Sequence, residues 1–279
     1  TGDWQDINSP TGGWTYAAKF ASPTSLNPSV PSVSEVLSLN TNQRDLLDES
    51  SVALLRSNQG DDANCANLFA TNNPRVVGLP DLFLERGGFR FLDHTELPNG
   101  NENPWCLLQM PDKENGETPI VIDAATAQWA LKLGGLGSIV RLDPASGRVL
   151  KDDSSSEEQQ GVRCRIVGLL EPSILQGLIL LGEKDFTRLF PMQSGYAMAL
   201  VEMPKNPSSG GRDFDMRDET EQALTAAWAD FGVRLESTQD RLGRLFAVQN
   251  TFLAGFQSLG TIGLPVSYTH LTLPTRYRV

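Results

Sequence analysis

The chain has 279 residues, 39% of them hydrophobic and 20% charged, a balance that supports a folded core of one large domain or two lobes and argues against disorder. Its net charge of −11 repels phosphate backbones and argues against nucleic-acid binding. Two histidines, His94 and His270, and three dispersed cysteines, Cys65, Cys106 and Cys164, leave no multi-histidine metal site and no C-x-x-C zinc or redox pair.

The first 45 residues are rich in Pro, Ser, Asn and Thr and read as loop, apart from a strand over Gly12–Phe20. Ser51–Ser57 (SVALLRS) reads as a strand. Gly60–Cys65 (GDDANC) reads as a polar turn that caps a short helix. Arg75–Leu79 is the next strand, Asp81–Arg86 a helical turn, and Gly87-Gly88 breaks the chain before Phe89-Arg90-Phe91. His94, in Leu-Asp-His-Thr, reads as a surface turn residue.

The centre alternates strand and helix. Pro119–Asp123 (PIVID) is a short buried strand. Ala124–Leu133 (AATAQWALKL) predicts a helix with Trp129 and Leu133 on one face, ended by Gly134 and Gly135. Ser138–Leu142 predicts a strand and Lys151–Gly161 (KDDSSSEEQQG) a loop tip. Val162–Leu170 (VRCRIVGLL) predicts a strand with Val162, Cys164 and Ile166 on one face that then runs into a core. Leu178–Leu181 is an apolar run, Glu183–Phe190 a helix stopped by Pro191, and Tyr196–Glu202 a strand. Pro204–Asp218 reads as a flexible segment, Glu219–Phe231 as a helix ended by Gly232, and Val233–Glu236 as a short strand. This order predicts an α+β fold, a mixed α/β domain with two lobes.

From Thr238 the pattern changes. Leu242, Leu245, Phe246, Phe252, Leu253, Phe256 and Leu259 recur at three- and four-residue spacings, which predicts an amphipathic helix. No charge falls between Leu245 and Leu264. Twenty helical residues span about 30 Å, one bilayer core. Gln249, Asn250, Thr251, Gln257 and Ser258 are too polar for a simple lipid-facing span. A stalk that begins in water and dips into the membrane fits the pattern; a core helix of a soluble domain is the competing reading. After Pro265 the register is lost, and Val266–Val279 (VSYTHLTLPTRYRV) resembles translated sequencing-adaptor read-through. It is set aside from the fold, together with His270. Thr1 opens no signal-peptide pattern, as expected also of a domain excised from a longer secreted chain.

The motifs that carry chemistry fail on their own terms. Gly177–Asp185 (GLILLGEKD) places Glu183 where a phosphate loop needs Lys directly after its second glycine. Gly134-Gly135-Leu136-Gly137 follows a helix, the reverse of a dinucleotide fingerprint. Asp61, Asp62 and Asn64 lack the closing Glu of a calcium loop and read as an Asx turn. Asp213, Asp215, Asp218, Glu219 and Glu221 read as acidic complement to a helix N-terminus rather than a paired-carboxylate site. No Ser sits in a G-x-S-x-G elbow. No catalytic, cofactor-binding or metal-ligating residue is assigned, and the chain is not expected to be an enzyme. The cysteines allow one disulfide with a thiol left over, or three buried apolar side chains, which the composition favours.

Phe246–Leu264 (FAVQNTFLAGFQSLGTIGL) resembles the entry into the first membrane helix of an FtsX-like permease. Such segments read V-[EQ]-N-T-[YF]-L followed by F-Q-x-L-G-x-[LI]-G-L. Shorter matches in order, from Gly60–Cys65 through Asn73–Val76, Arg86–Phe91, Asn103–Trp105, Ile166–Leu170 and Leu189–Pro191, look like the large permeases of this class from planctomycete-type bacteria. The resemblance covers about Ser51 to Leu264. It implies a MacB-like extracytoplasmic domain over residues 1–236, a stalk and the start of a transmembrane helix over 237–264, and a non-native tail over 265–279. The chain is then expected to be cut near Leu264, inside the helix. The implied protein is a permease subunit of the bacterial inner membrane, dimeric, served by a separate cytoplasmic ABC ATPase, and without a cofactor of its own. Phe246, Asn250, Phe252 and Phe256 are the expected coupling residues of the stalk. A free-standing extracytoplasmic binding module, with Asp61 and Asp62 or an interlobe cleft as its site, is the alternative. An enzyme with an unrecognised carboxylate pair is the third reading.

Overall fold

The computed structural model describes residues 6–34, 39–58, 74–98, 100–110, 116–150, 161–203 and 213–247. The elements are β1 (Tyr16–Thr24), α1 (Pro31–Ser34), α2 (Thr41–Asp48), β2 (Ser51–Ser57), β3 (Arg75–Leu79), α3 (Asp81–Arg86), β4 (Phe91–His94) and β5 (Thr118–Asp123). There follow β6 (Ile139–Leu142), β7 (Val149–Leu150), β8 (Val162–Leu170), β9 (Leu178–Gly182), α4 (Glu183–Leu189), β10 (Tyr196–Glu202), α5 (Asp213–Ala227) and β11 (Val233–Ser237). Residues 238–247 are helical. Thr1–Leu242 form one compact unit and Gly243–Val279 a second, of which 243–247 are described. Among the described residues no helix is long and apolar enough to cross a membrane.

The strands form one mixed sheet in the order β11-β1-β10-β2-β3-β9-β5-β8-β6-β7, with β4 also on β8. β2 joins two halves. Its first five residues pair antiparallel with β10, and Arg56 and Ser57 pair with Gly78 and Val77 of β3. Successive strand residues face opposite sides of a sheet, and three apolar clusters follow from that alternation. Ala53 and Leu55 of β2, Val77 and Leu79 of β3 and Met198 and Leu200 of β10 share a single core that crosses the seam. α3 adds Phe83 and Leu84 to it, and a 3-10 turn over Pro104–Gln109 adds Trp105, Leu107 and Leu108. The opposite face is divided. Val52, Leu54, Ala199 and Val201 lie under α5, with Leu47 of α2. Val76, Ile120, Ile179 and Leu181 lie under α4, whose Phe186 and Leu189 close that half. The expected two lobes are thus two helical layers on one face of a sheet whose other face is continuous. The α+β class is as expected.

β2, β3, α3, β8 and β10 occupy the predicted residues. Elsewhere local geometry overrode the pattern. β1 starts at Tyr16, not Gly12, because Gly12 and Gly13 both take left-handed φ (65° and 75°) in a turn that precedes it. The Pro- and Ser-rich start holds α1 and α2; Asn40 caps α2 in a reciprocal capping box with Gln43. The helix expected over Ala124–Leu133 widens into a π turn over Thr126–Ala130, where the Leu131 amide reaches back five residues to the Thr126 carbonyl (3.0 Å). The wider turn breaks the four-residue register: Trp129 is 62% exposed while Leu133 packs on the core. Lys132, not Gly134, takes the left-handed position that ends the turn (φ 57°). α5 begins at Asp213, inside the segment read as flexible, and ends at Ala227; a 3-10 turn over Ala229–Phe231 precedes the left-handed Gly232. β7, just before the expected loop tip over Lys151–Gly161, pairs with β6. In β8 the register slips by one between Ile166 and Gly168. The alternation of Cys164 and Ile166 gives way to an all-buried run because both faces of β8 are covered there: Val167 and Leu170 pack in the continuous core, Ile166 and Leu169 in the core of the opposite face.

Candidate coupling junction

The described chain enters and leaves the sheet side by side. β1 and β11 are antiparallel neighbours, with Tyr16 opposite Ser237, so the residue before β1 and the residue after β11 meet. Thr238 makes that meeting specific. It is fully buried, its amide donates to the Thr15 carbonyl (3.0 Å), and its hydroxyl donates to the Trp14 carbonyl (2.5 Å) and the Thr15 carbonyl (3.1 Å). Thr15 is itself pinned: its amide donates to Val201 and its hydroxyl accepts from the Met203 amide (3.2 Å). Arg241, one turn into the helix, donates to Glu236 of β11 (2.9 Å), and Leu242 packs on the continuous core. The first turn of the helix is therefore fixed to the sheet by backbone, hydroxyl, ion pair and apolar contact together.

Behind the junction lies an aromatic layer. Trp14 stacks on Phe83 (centroids 5.9 Å), and Phe83 meets Trp105 edge-on (5.1 Å). Arg86 holds the layer to the sheet. Its guanidinium lies 4.2 Å over the Trp14 ring, pairs with Glu202 at the end of β10 (2.7 Å) and donates to the Gly12 carbonyl (2.8 Å). Since Arg86 follows β3 and Glu202 belongs to β10, this contact crosses the seam between the two halves. Tyr16 ties α5 in as well: its hydroxyl donates to the Arg217 carbonyl (3.0 Å), and burial, aided by Glu221, pushes its pKa to about 12.

A second polar node sits at the other end of the seam. Arg56 of β2 pairs with Glu183 of α4 (2.7 Å), donates to the Gly195 carbonyl and covers the Tyr196 ring at 4.6 Å. The Tyr196 hydroxyl donates to the same Glu183 oxygen (3.0 Å). A third node lies at the start of β5, where buried Glu117 pairs with Arg163 (2.7 Å) and Arg165 (2.5 Å). The Arg163 hydrogen bond, joined by Arg165, holds the Glu117 carboxyl below its ordinary range.

No family model matches the chain, and no curated protein is found similar to it. Solved structures similar to the chain are found. Among them is the periplasmic region of MacB from Actinobacillus actinomycetemcomitans, at a TM-score of 0.38 and 10% identity, over 83% of this chain and 92% of that chain.

Of the residues expected to act in coupling, Phe246 lies in the helix that starts at Thr238, while Asn250, Phe252 and Phe256 lie outside the described residues. Cys65, Asp61, Asp62 and Asn64 lie outside them too. Cys164 is buried and free, and burial pushes its thiol to about 12; Cys106 is free but only half-buried, unlike the buried position expected of it. His94 closes β4 rather than a turn and stacks edge-on against Phe91. Leu178–Gly182, inside the run compared with a phosphate loop, is a fully buried strand. The acidic run starts α5, at Asp213. Among the described residues no group of three or more His, Cys, Asp or Glu converges as a metal site. Sequence reasoning placed the helix start at Thr238 but missed its anchors. Trp14, Thr15, Arg86 and Glu202 are distant in the chain, and only pairing brings them together.

Proposed function

We propose that this chain is the extracytoplasmic part of an ABC transporter permease subunit of a bacterial inner membrane. A separate cytoplasmic ATPase drives it, and its output is export, lipoprotein release or envelope remodelling. The observation that supports this reading is the junction at Thr238. A domain set between two membrane-borne segments needs its entry and exit at one end, and needs the exit fixed firmly enough to carry a displacement. Here Trp14, Thr15 and Thr238 are hydrogen-bonded together, and the helix that leaves them continues toward the sequence that resembles a permease stalk. In this role the domain is the driven body, and Phe246, Asn250, Phe252 and Phe256 are the residues proposed to carry the coupling. The permease works as a dimer.

The test is made in the complete permease–ATPase complex in proteoliposomes. Phe246→Asp is expected to leave ATP hydrolysis running while transport falls, because a charge on the stalk disrupts its packing without touching the nucleotide site. Normal transport by this variant reduces the helix to a tether. A complete reading frame without hydrophobic spans of about 20 residues on both sides of the domain overturns the permease reading and leaves a free-standing binding module.

A further inference from the structure

The chain that leads into β1 is bound to the half of the sheet that β1 does not belong to. Residues 6–14 fold as successive turns, with the Ser9 amide on the Asp6 carbonyl (3.0 Å) and the Gly12 amide on the Ser9 carbonyl (2.8 Å). Three carbonyls of this segment accept from the half built on β3, β5, β8 and β9. Ile7 accepts from the Phe89 amide (2.6 Å), Pro10 from the Ile174 amide (3.1 Å) and Gly12 from the Arg86 guanidinium (2.8 Å). Arg86 ends α3, Phe89 lies between α3 and β4, and Ile174 lies between β8 and β9. The exit is held elsewhere: Thr238 and Arg241 bond to Trp14, Thr15 and Glu236, at the β1–β11 edge. Entry and exit meet at Thr15 and Thr238, yet these polar contacts fall on different halves.

The grip on the far half is shaped from both sides. Gly87, Gly88 and Phe89 all have left-handed φ, at 71°, 99° and 62°. A bulky aromatic residue is an outlier there, and such strain persists only where the surroundings over-determine it. Here the Phe89 amide is bonded to Ile7, and its buried ring packs against Phe83 (5.9 Å) and Trp105 (6.2 Å). The Trp105 indole in turn donates to the Gly88 carbonyl (2.7 Å). A Cβ at Gly12 would stand 2.4 Å from the Phe89 ring, and one at Gly88 2.7 Å from the Ile7 carbonyl oxygen. Glycine at both places lets the entering segment close on the loop.

We propose that residues 6–14 are a second coupling element: a strap through which the entering chain moves the far half directly, with Phe89 as the residue that positions it. The role rests on the permease reading and adds a drive point to it. The exit helix acts on β1 and β11, and the strap acts on the loops that hold Phe89 and Ile174. Each half then receives the displacement at its own contact, and the shared core keeps the two in step. A strap that merely covered the domain surface would, when loosened, lower stability without changing the link between ATP hydrolysis and transport.

Gly88→Ala tests the strap, because its methyl meets the Ile7 carbonyl oxygen. Gly100→Ala is the control: it has the same left-handed backbone (φ 82°) and nothing within 4 Å of the added carbon. In Gly88→Ala, amide exchange of the full chain is expected to quicken about tenfold or more at Phe89 and Ile174, with Thr238 still protected. Gly100→Ala leaves those amides unchanged. In the complete permease–ATPase complex in proteoliposomes, Gly88→Ala is expected to lose transport while hydrolysis continues, and Gly100→Ala to keep both. A Gly-Gly insertion between Asn8 and Ser9 unhooks Ile7 without touching the core, and gives the same loss even if Gly88→Ala folds poorly. Phe246→Asp, assayed alongside, separates the failures. If it uncouples while both strap variants transport normally, the strap proposal falls and the permease reading stands. Exchange unchanged at Phe89 and Ile174, or raised equally at Thr238, also overturns the strap. A complete reading frame without flanking hydrophobic spans removes the permease reading and the strap's role with it.

Discussion

Replacing Thr238 by valine isolates the hydroxyl that fixes the helix to the sheet. The side chain is fully buried, and valine keeps its shape but donates nothing. The Thr15 carbonyl keeps the Thr238 amide, whereas the Trp14 carbonyl loses its hydroxyl donor. A buried acceptor left unsatisfied costs about 1–3 kcal/mol. For a domain of this size each kcal/mol lowers Tm by about 2–4 °C, so a loss of about 2–12 °C is expected. Thr238→Ser is the control: it keeps the hydroxyl and sacrifices one methyl, worth about 0.8 kcal/mol. Urea unfolding of the three proteins gives the ordering. Amide exchange across β1 and β11 shows whether the damage is local, with the β11 amides losing protection first. If valine proves as stable as serine, or both match the parent, the hydroxyl does not anchor the helix and the junction rests on β-pairing alone.

The remaining predictions concern the nodes around that junction. Glu117 has a folded pKa depressed by Arg163 and Arg165, so its stabilisation is complete above the unfolded carboxylate value of about 4.3 and is lost as pH falls through the folded value. Glu117→Gln should lower the urea midpoint at pH 7 and flatten its decline on the acid side; parallel acid limbs refute the pairing. Asn40→Ala removes the half of the α2 capping box in which the Asn40 side chain accepts from the Gln43 amide, leaves the residue-40 amide to donate to Gln43, and should cost about 1 kcal/mol in equilibrium unfolding. Gly78→Ala drives a methyl to 2.7 Å from Phe186 Cβ and should cost about 1–3 kcal/mol; an unchanged midpoint means α4 can shift aside. Cys164, buried and with its thiol raised to about 12, should resist alkylation at neutral pH until urea unfolds the domain, as read by peptide mass spectrometry.

What was legible in the sequence follows from how burial patterns are made. β2, β3, β8 and β10 are two-sided or nearly so, and their apolar runs end at turn residues, which fixes both type and limits. α2 buries only Leu46 and Leu47, so its apolar signal is faint; the Asn40–Gln43 pair was the readable mark. The π turn defeated a reading built on 3.6 residues per turn, because one wider turn displaces Trp129 from the face that spacing assigned to it. α5 was shortened because a Gly- and Ser-bearing stretch precedes it, although its acidic first turn is what a helix start favours. The anchors of the junction carried no local signal at all. Arg86 and Glu202 are 116 residues apart, and Thr238 lies 224 residues from Trp14. Such contacts exist only once β1, β10 and β11 have found their order.

That order also decides how firmly the two halves of the domain hold together. The pairing between its halves is short, two residue pairs between β2 and β3, which taken alone suggests lobes that hinge. The continuous face argues otherwise. Residues of β2, β3, β9 and β10 share one core, and opening the seam exposes Leu55, Val77, Leu79, Leu180 and Leu200. Each such side chain costs about 1.5–3 kcal/mol to return to water, so opening all five opposes roughly 8–15 kcal/mol. That is comparable with the whole stability of a typical domain. Arg86 adds a second tie by bridging α3 to Glu202 and Gly12 across the same seam. A displacement arriving through the helix at Thr238 therefore acts on β1 and is shared by both halves at once. Under the permease reading, the domain is driven as a single body about its junction, and its working surface is displaced rather than opened.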